Sequence, residues 1–204
     1  MNPTIVALLE QIDHLEDKLE AEFEKRRSEL GFGSVEGRVS YDTETLRQHL
    51  EFKTGLLDYA LGLRLTVALT GPVIYAMIVP IFLIDLATMI YQTICFPMYR
   101  LERVRRRDYF VFDRRYLVYL NVLEKFNCVY CAYANGVLGF VLEVTARTEK
   151  YWCPIKHARR LHYAHSQYAQ FHDYGDAKAH KDWLDGYLEQ SVLWPSRGGK
   201  PRGD

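Results

Sequence analysis

The run LTVALTGPVIYAMIVPIFLIDLATMIYQTICFPMY, Leu65 to Tyr99, carries a single formal charge, Asp85. A helix needs roughly 20 apolar residues to cross a hydrocarbon core, and this run is well beyond that. As one continuous helix it would extend about 50 Å at 1.5 Å per residue, against a core of about 30 Å. It therefore reads as a membrane-embedded segment that bends, tilts or protrudes. Pro72 and Pro80 each remove an amide donor and crowd the preceding turn, so a kink is expected near Pro80.

Two embeddings fit: a single span, or a re-entrant helical hairpin that keeps both flanks on one side. Basic residues set the orientation. Arg100, Arg103, Arg105, Arg106, Arg107, Arg114 and Arg115 follow the run, whereas only Arg47, Lys53 and Arg64 precede it closely. The C-terminal side is thus expected in the cytoplasm, at an inner or plasma membrane. A single span would carry a charged N-terminal region across without a signal, and MNPTIVALLEQIDHLEDKLE lacks the basic start of a cleavable leader. Nothing in the sequence routes the chain to an oxidising compartment. Lysine plus arginine balances aspartate plus glutamate at 26 each, so no net field points to nucleic acid.

Asp85, Thr88 and Gln92 recur at helical spacing, continued by Cys95 and Tyr99, and so share one face of the embedded helix. Such a stripe is costly against lipid. It is expected to meet another helix, a second subunit or a water-filled cavity, acting as interhelical glue or, with Asp85 titrating, as a proton path.

The flanks read as helices. Ile5, Leu8, Ile12, Leu15 and Leu19 follow the three-four spacing of a short coiled-coil seam within residues 1–32, to be paired with a helix of the same chain or a second copy. The glycines of GFGSVEG, 31–37, end that helix. Residues 33–64 then form a linker and a helix carrying Leu46, Leu50, Leu56 and Leu57, capped by Ser40 or Asp42. Residues 100–116 interleave Arg103, Arg105, Arg106, Arg107, Arg114 and Arg115 with Tyr109, Phe110, Phe112 and Tyr116. Beside an apolar run, this pattern suits an anionic lipid surface better than nucleic acid.

Residues 117–194 are expected to form a cytoplasmic helical Cys/His domain. Asp113 would cap a helix starting near Arg114 and running toward Asn135-Gly136, with Cys128 and Cys131 on one face. Pro154 suits the first turn of a further helix with Cys153 at its cap. Cys128, Cys131, Cys153 and His157 would then supply four soft ligands for zinc or iron, provided the chain folds back after Asn135-Gly136. Without that break, His165 and His172 would instead face the two thiols. Redox work by Cys128, Cys131 and Cys153 is the rival, with Cys153 supported by a helix N-terminus. Plain packing of cysteines is the third reading. Trp183, Leu184, Tyr187, Leu188 and Val192 give a closing helix over 176–194 its apolar side, and 195–204 reads as a disordered tail.

No H-E-x-x-H, G-x-S-x-G, phosphate loop or dinucleotide fingerprint occurs. The sequence therefore describes a mainly α, membrane-anchored and non-enzymatic protein with a Cys/His metal site of structural or sensory role. It would act within a homo-oligomer or a larger membrane assembly. The alternatives are a membrane-bound thiol redox protein and a scaffold without chemistry.

Overall fold

The computed structural model describes residues 3–30, 32–35, 38–41, 43–62 and 65–190. The fold is mainly helical. Its helices are α1 (Pro3–Glu29), α2 (Thr43–Glu51), α3 (Leu56–Gly62), α4 (Leu65–Ala76), α5 (Ile78–Met98), α6 (Val122–Trp152) and α7 (Ala177–Gln190). Strands β1 (Phe32–Val35) and β2 (Arg38–Tyr41) pair antiparallel, with Phe32 opposite Tyr41 and Val35 opposite Arg38. The stretch after α1 thus supplies two paired strands, and Gly31, Glu36 and Gly37 lie outside the described residues. Two compact units can be described: Met1–Asp85 with Arg105–Gly139, and Leu86–Val104 with Phe140–Asp204.

The apolar run divides where its prolines require. α4 ends at Ala76 and α5 begins at Ile78, four and two residues ahead of Pro80. Pro80 has no amide hydrogen to bond the carbonyl of residue 76, four back, so the ladder is interrupted at that carbonyl. The chain tightens there instead: Met77 N–H donates to the Ile74 carbonyl at 3.2 Å, a three-residue step. Pro97 lies in the last turn of α5.

In α5 two faces separate cleanly. Val79, Leu83, Leu86, Ile90 and Ile94 recur at three-four spacing and are all exposed, while Asp85, Gln92 and Phe96 are buried. α6 is apolar over a comparable length, so Leu65–Met98 and Val122–Trp152 are both long and apolar enough to cross a membrane. Among the buried residues of α6, Ala132, Gly136, Val137, Phe140 and Val144 also follow helical spacing, and Ala146 is buried beside them. α1 buries no residue. Its Leu8, Ile12, Leu15, Leu19 and Phe23 stand exposed, and its charges pair along the helix, as in Arg27 with Glu20 at 2.9 Å and with Glu24 at 2.7 Å.

Several local expectations are corrected. The leucine-bearing helix before the apolar run is two helices, α2 and α3, separated around Gly55, and Ser40 lies in β2; Asp42 is outside the described residues. Asp113 opens only a short 3-10 turn, Asp113–Tyr116, and α6 starts later, at Val122. Its cap is Asn121, whose Oδ1 accepts from Glu124 N–H at 3.0 Å while Glu124 Oε2 accepts from Asn121 N–H at 2.9 Å. This is a reciprocal capping box that satisfies two otherwise orphaned donors. No helix begins at Pro154. The chain from Cys153 to Asp176 is largely irregular, tied by a parallel bridge of Ile155 with His172, before Asp176 caps α7 through Ala179 N–H at 2.9 Å. On α7, Trp183 is half-buried; the Tyr187 and Leu188 side chains, Val192 and the tail 195–204 lie outside the described residues.

Candidate functional site

The densest polar arrangement is built on Asp85, which is 2% exposed. Arg106 grips it with both prongs of its guanidinium: Nε donates to Oδ1 at 3.0 Å and NH2 to Oδ2 at 2.6 Å. Tyr133 of α6 donates its hydroxyl to the same Oδ2 at 3.0 Å. A planar fork on a carboxylate is the geometry that distinguishes arginine from lysine. It also lifts the Arg106 pKa above its usual value, first through the hydrogen bonds to Asp85.

The guanidinium lies 3.8 Å from the centre of the Phe110 ring, and that ring packs at 5.8 Å from Tyr133. The segment carrying these rings can approach α6 because α6 is glycine there. A Cβ on Gly136 would come within 2.8 Å of the Tyr109 carbonyl oxygen, and one on Gly139 within 3.1 Å of the Tyr109 ring. Ala132, Gly136 and Gly139 are the sequence signal of this close approach, a small-residue face on an apolar helix.

In the second unit, Gln92 performs the matching task. Its Oε1 accepts from Val104 N–H at 2.8 Å and its Nε2 donates to the Val104 carbonyl at 3.3 Å. Tyr91 and Thr148 join α5 to α6 by hydroxyls 3.0 Å apart. Near the end of α6, Glu149 accepts from His165 Nε2 at 3.0 Å. The Gln167 amide donates to His165 Nδ1 at 3.2 Å, which fixes the proton on Nε2. Ser166 donates to Glu143 at 3.0 Å, so this serine and histidine are bonded to separate carboxylates and make no nucleophile-base pair. Lys156 holds Asp173 at 2.8 Å and pulls its carboxyl below the usual range. His172 and His180 both face Trp183, with ring centroids 6.4 and 5.5 Å away, and His172 Nε2 and His180 Nδ1 are buried without a partner.

The four proposed metal ligands are not brought together. α6 runs unbroken through Asn135 and Gly136, so the fold-back that joins Cys128 and Cys131 to Cys153 and His157 does not occur. Along one helix, Cys131 and its C-terminal end stand about 30 Å apart at 1.5 Å per residue. Nor do the other histidines replace them: His165 is engaged by Glu149, and His172 packs toward Trp183. Among the described residues no group of three or more histidines, cysteines, aspartates or glutamates is close enough to hold a metal ion. Cys128 is half-buried, Cys131 and Cys153 are exposed, and all four cysteines are free thiols. Cys153 ends a helix rather than beginning one, since its N–H donates to the Glu149 carbonyl at 2.7 Å. At that end the helix dipole is negative and does not favour a thiolate. His157 is exposed, its ring stacked 6.3 Å from Tyr168.

The arginine cluster divides. Arg103, Arg105, Arg107, Arg114 and Arg115 are exposed, as a surface role requires, but Arg106 turns inward to Asp85. The polar face of α5 meets residues of the connecting segment: Asp85 meets Arg106, Gln92 meets Val104, and Thr88 is half-buried. No protein-family model, curated protein or solved structure matches this chain.

Proposed function

We propose that this chain is a membrane-anchored, non-enzymatic helical protein that serves as a subunit or accessory of a membrane assembly. One observation carries the reading. In Leu65–Met98 only 6% of the apolar window is buried, and the exposed stripe Val79, Leu83, Leu86, Ile90 and Ile94 lies opposite the satisfied polar face of the same helix. A contiguous apolar surface of this kind calls for lipid or protein cover.

The geometry favours embedding from one side over a crossing by α5. The segment held at Asp85 has only single 3-10 turns, Arg106–Tyr109 and Asp113–Tyr116, in otherwise irregular backbone, and carries Arg107, its side chain 80% exposed, and Asp108, 58% exposed. Irregular backbone and solvated charge are not tolerated at hydrocarbon depth. With the arginines at the headgroups and the exposed apolar stripe of α5 below them, both are matched to their surroundings. Assembly would use α1, whose half-buried Ile5 and exposed Ile12 fall at a and exposed Leu8 and Leu15 at d, the pattern of a parallel two-stranded coiled coil. A zinc or iron role for Cys128 and Cys131 then requires further donors from another copy or partner, and metal analysis of the reduced, purified assembly tests it.

Membrane extraction provides the main test. The protein should resist high salt and alkaline carbonate, require detergent, and be released when Leu83, Leu86 and Ile90 are all replaced by serine. One-sided embedding predicts that Cys153 and a cysteine placed at exposed Ser28 label from the same face of sealed vesicles. Labelling from opposite faces removes the one-sided geometry, and a stable detergent-free monomer removes the membrane reading.

A further inference from the structure

A cavity of about 410 Å³ opens between α4 and the first turns of α6, with Ala68, Gly71, Pro72, Tyr75, Asn127 and Cys131 among its walls. That volume falls within the range of small-molecule sites. Its cause is readable in the sequence. Gly71 has no side chain, and a Cβ built there would meet no atom within 4 Å, so the space is left open by the residue choice. A glycine inside a helix costs stability relative to alanine, and an unfilled apolar space costs more. An occupant would remove the second of these costs by filling the space.

The walls limit what that occupant can be. None of the described lining residues carries a formal charge, so burial of an ionised ligand is disfavoured. The lining is otherwise apolar and aromatic, with the Tyr75 and Tyr130 rings 5.6 Å apart and edge to face. Polar character is confined to a few groups. Asn127 Oδ1 accepts from the Tyr75 hydroxyl, and Tyr130 donates to the Ile74 carbonyl at 2.6 Å. The hydrogen bond to Tyr75 uses Asn127 Oδ1, and the Nδ2 hydrogens of the same amide are donors suited to an acceptor oxygen. Both walls belong to the two long apolar helices, whose surroundings supply molecules of this chemistry.

We infer that this cavity binds an uncharged amphiphile, an acyl chain lying beside Gly71 with its ester or ketone oxygen accepting from Asn127. This rests on the membrane reading for the source of the ligand, although the cavity itself lies wholly within the first unit.

The test uses the full-length protein in detergent at pH 8, titrated with the methyl ester of cis-parinaric acid, a polyene that fluoresces in apolar sites, and in parallel with the free acid. Expected are saturable binding of the ester, weaker binding of the ionised acid, and protection of Cys131 from maleimide while exposed Cys153 reacts unchanged. Asn127→Leu should weaken ester binding about 3- to 10-fold, the worth of one neutral hydrogen bond. Gly71→Phe should abolish it by filling the space. Ala68→Leu should reduce it, and circular dichroism identifies the variants that keep their helix content. Non-saturable uptake, equal uptake by folded Gly71→Phe and Ala68→Leu, or unchanged Cys131 reactivity would overturn the inference. Ester binding by a protein that needs no detergent would sink the membrane reading and leave the cavity standing; embedding without ester binding would do the reverse.

Discussion

Gln92 holds Val104 by both backbone groups of that residue, accepting from its N–H at 2.8 Å and donating to its carbonyl at 3.3 Å. The side-chain amide replaces the partner that a strand or helix would have supplied, and Val104 is 5% exposed, so water cannot substitute easily. Gln92→Leu keeps approximate size but leaves two buried groups unpaired. A loss of about 1–3 kcal/mol per group sets the scale. Thermal unfolding of purified protein should show a lowered midpoint, and the segment around Val104 should become more open to protease.

Asp85 and Arg106 should behave as a coupled pair. Asp85→Leu strands an arginine that is built into the Phe110 contact, and Arg106→Leu strands a carboxylate that is almost fully buried. Each single change should cost more than its share, and the double change should recover part of the loss, with a coupling of about 0.5–3 kcal/mol. Arg106→Lys keeps the charge but not the fork and should fall between wild type and Arg106→Leu. Additive losses in denaturant unfolding would count against the pairing.

Periodicity within single helices was legible from sequence, and contacts between distant segments were not. The face shared by Asp85, Thr88 and Gln92 follows from 3.6-residue spacing alone, and the interruption before Pro80 follows from the missing amide hydrogen of that residue. That Arg106 is the partner of Asp85 is a contact over 21 residues, and a run of arginines beside an apolar segment offers no local sign of which one turns inward. The fold-back expected for the thiol site is absent for a related reason. Asn135-Gly136 resembles a helix stop, but Gly136 is required by the Tyr109 carbonyl pressed against it, so the glycine marks a close approach in mid-helix rather than a turn. The start of α6 was misplaced because Asp113 and Asn121 are both capping residues. Only Asn121 is followed three residues later by a glutamate that returns the hydrogen bond.

The two glycines Gly136 and Gly186 should respond oppositely to alanine. At Gly136 a methyl would sit 2.8 Å from a backbone oxygen and 2.9 Å from the Phe110 ring, which cannot give way without moving the segment from Tyr109 onward. Overpacking of that sort costs about 1–3 kcal/mol. At Gly186, inside α7, no atom lies within 4 Å, so alanine should stabilise by about 0.5–1 kcal/mol through helix propensity. The pair of unfolding midpoints, one lowered and one raised, checks the close approach on α6.

Acid should loosen the chain after α6 through Asp173. Its carboxyl titrates below the usual 3.8, first because Lys156 hydrogen-bonds it and then through that ammonium's charge. A group depressed in the folded state contributes stability that is present above its unfolded value, and the contribution is lost as pH falls through the folded one. The window therefore lies below about pH 4, not near neutrality. Asp173 is 70% exposed, so the effect should be small and should shrink further as salt screens the pair. Lys156 also ties this stretch through its backbone, donating to the His172 carbonyl at 2.8 Å, and Lys156→Met removes the charge while keeping that bond. Titration of the Asp173 carboxyl by NMR in both proteins is the direct measurement. The midpoint should rise toward the unperturbed value in Lys156→Met, and identical midpoints would show that the lysine is not the cause.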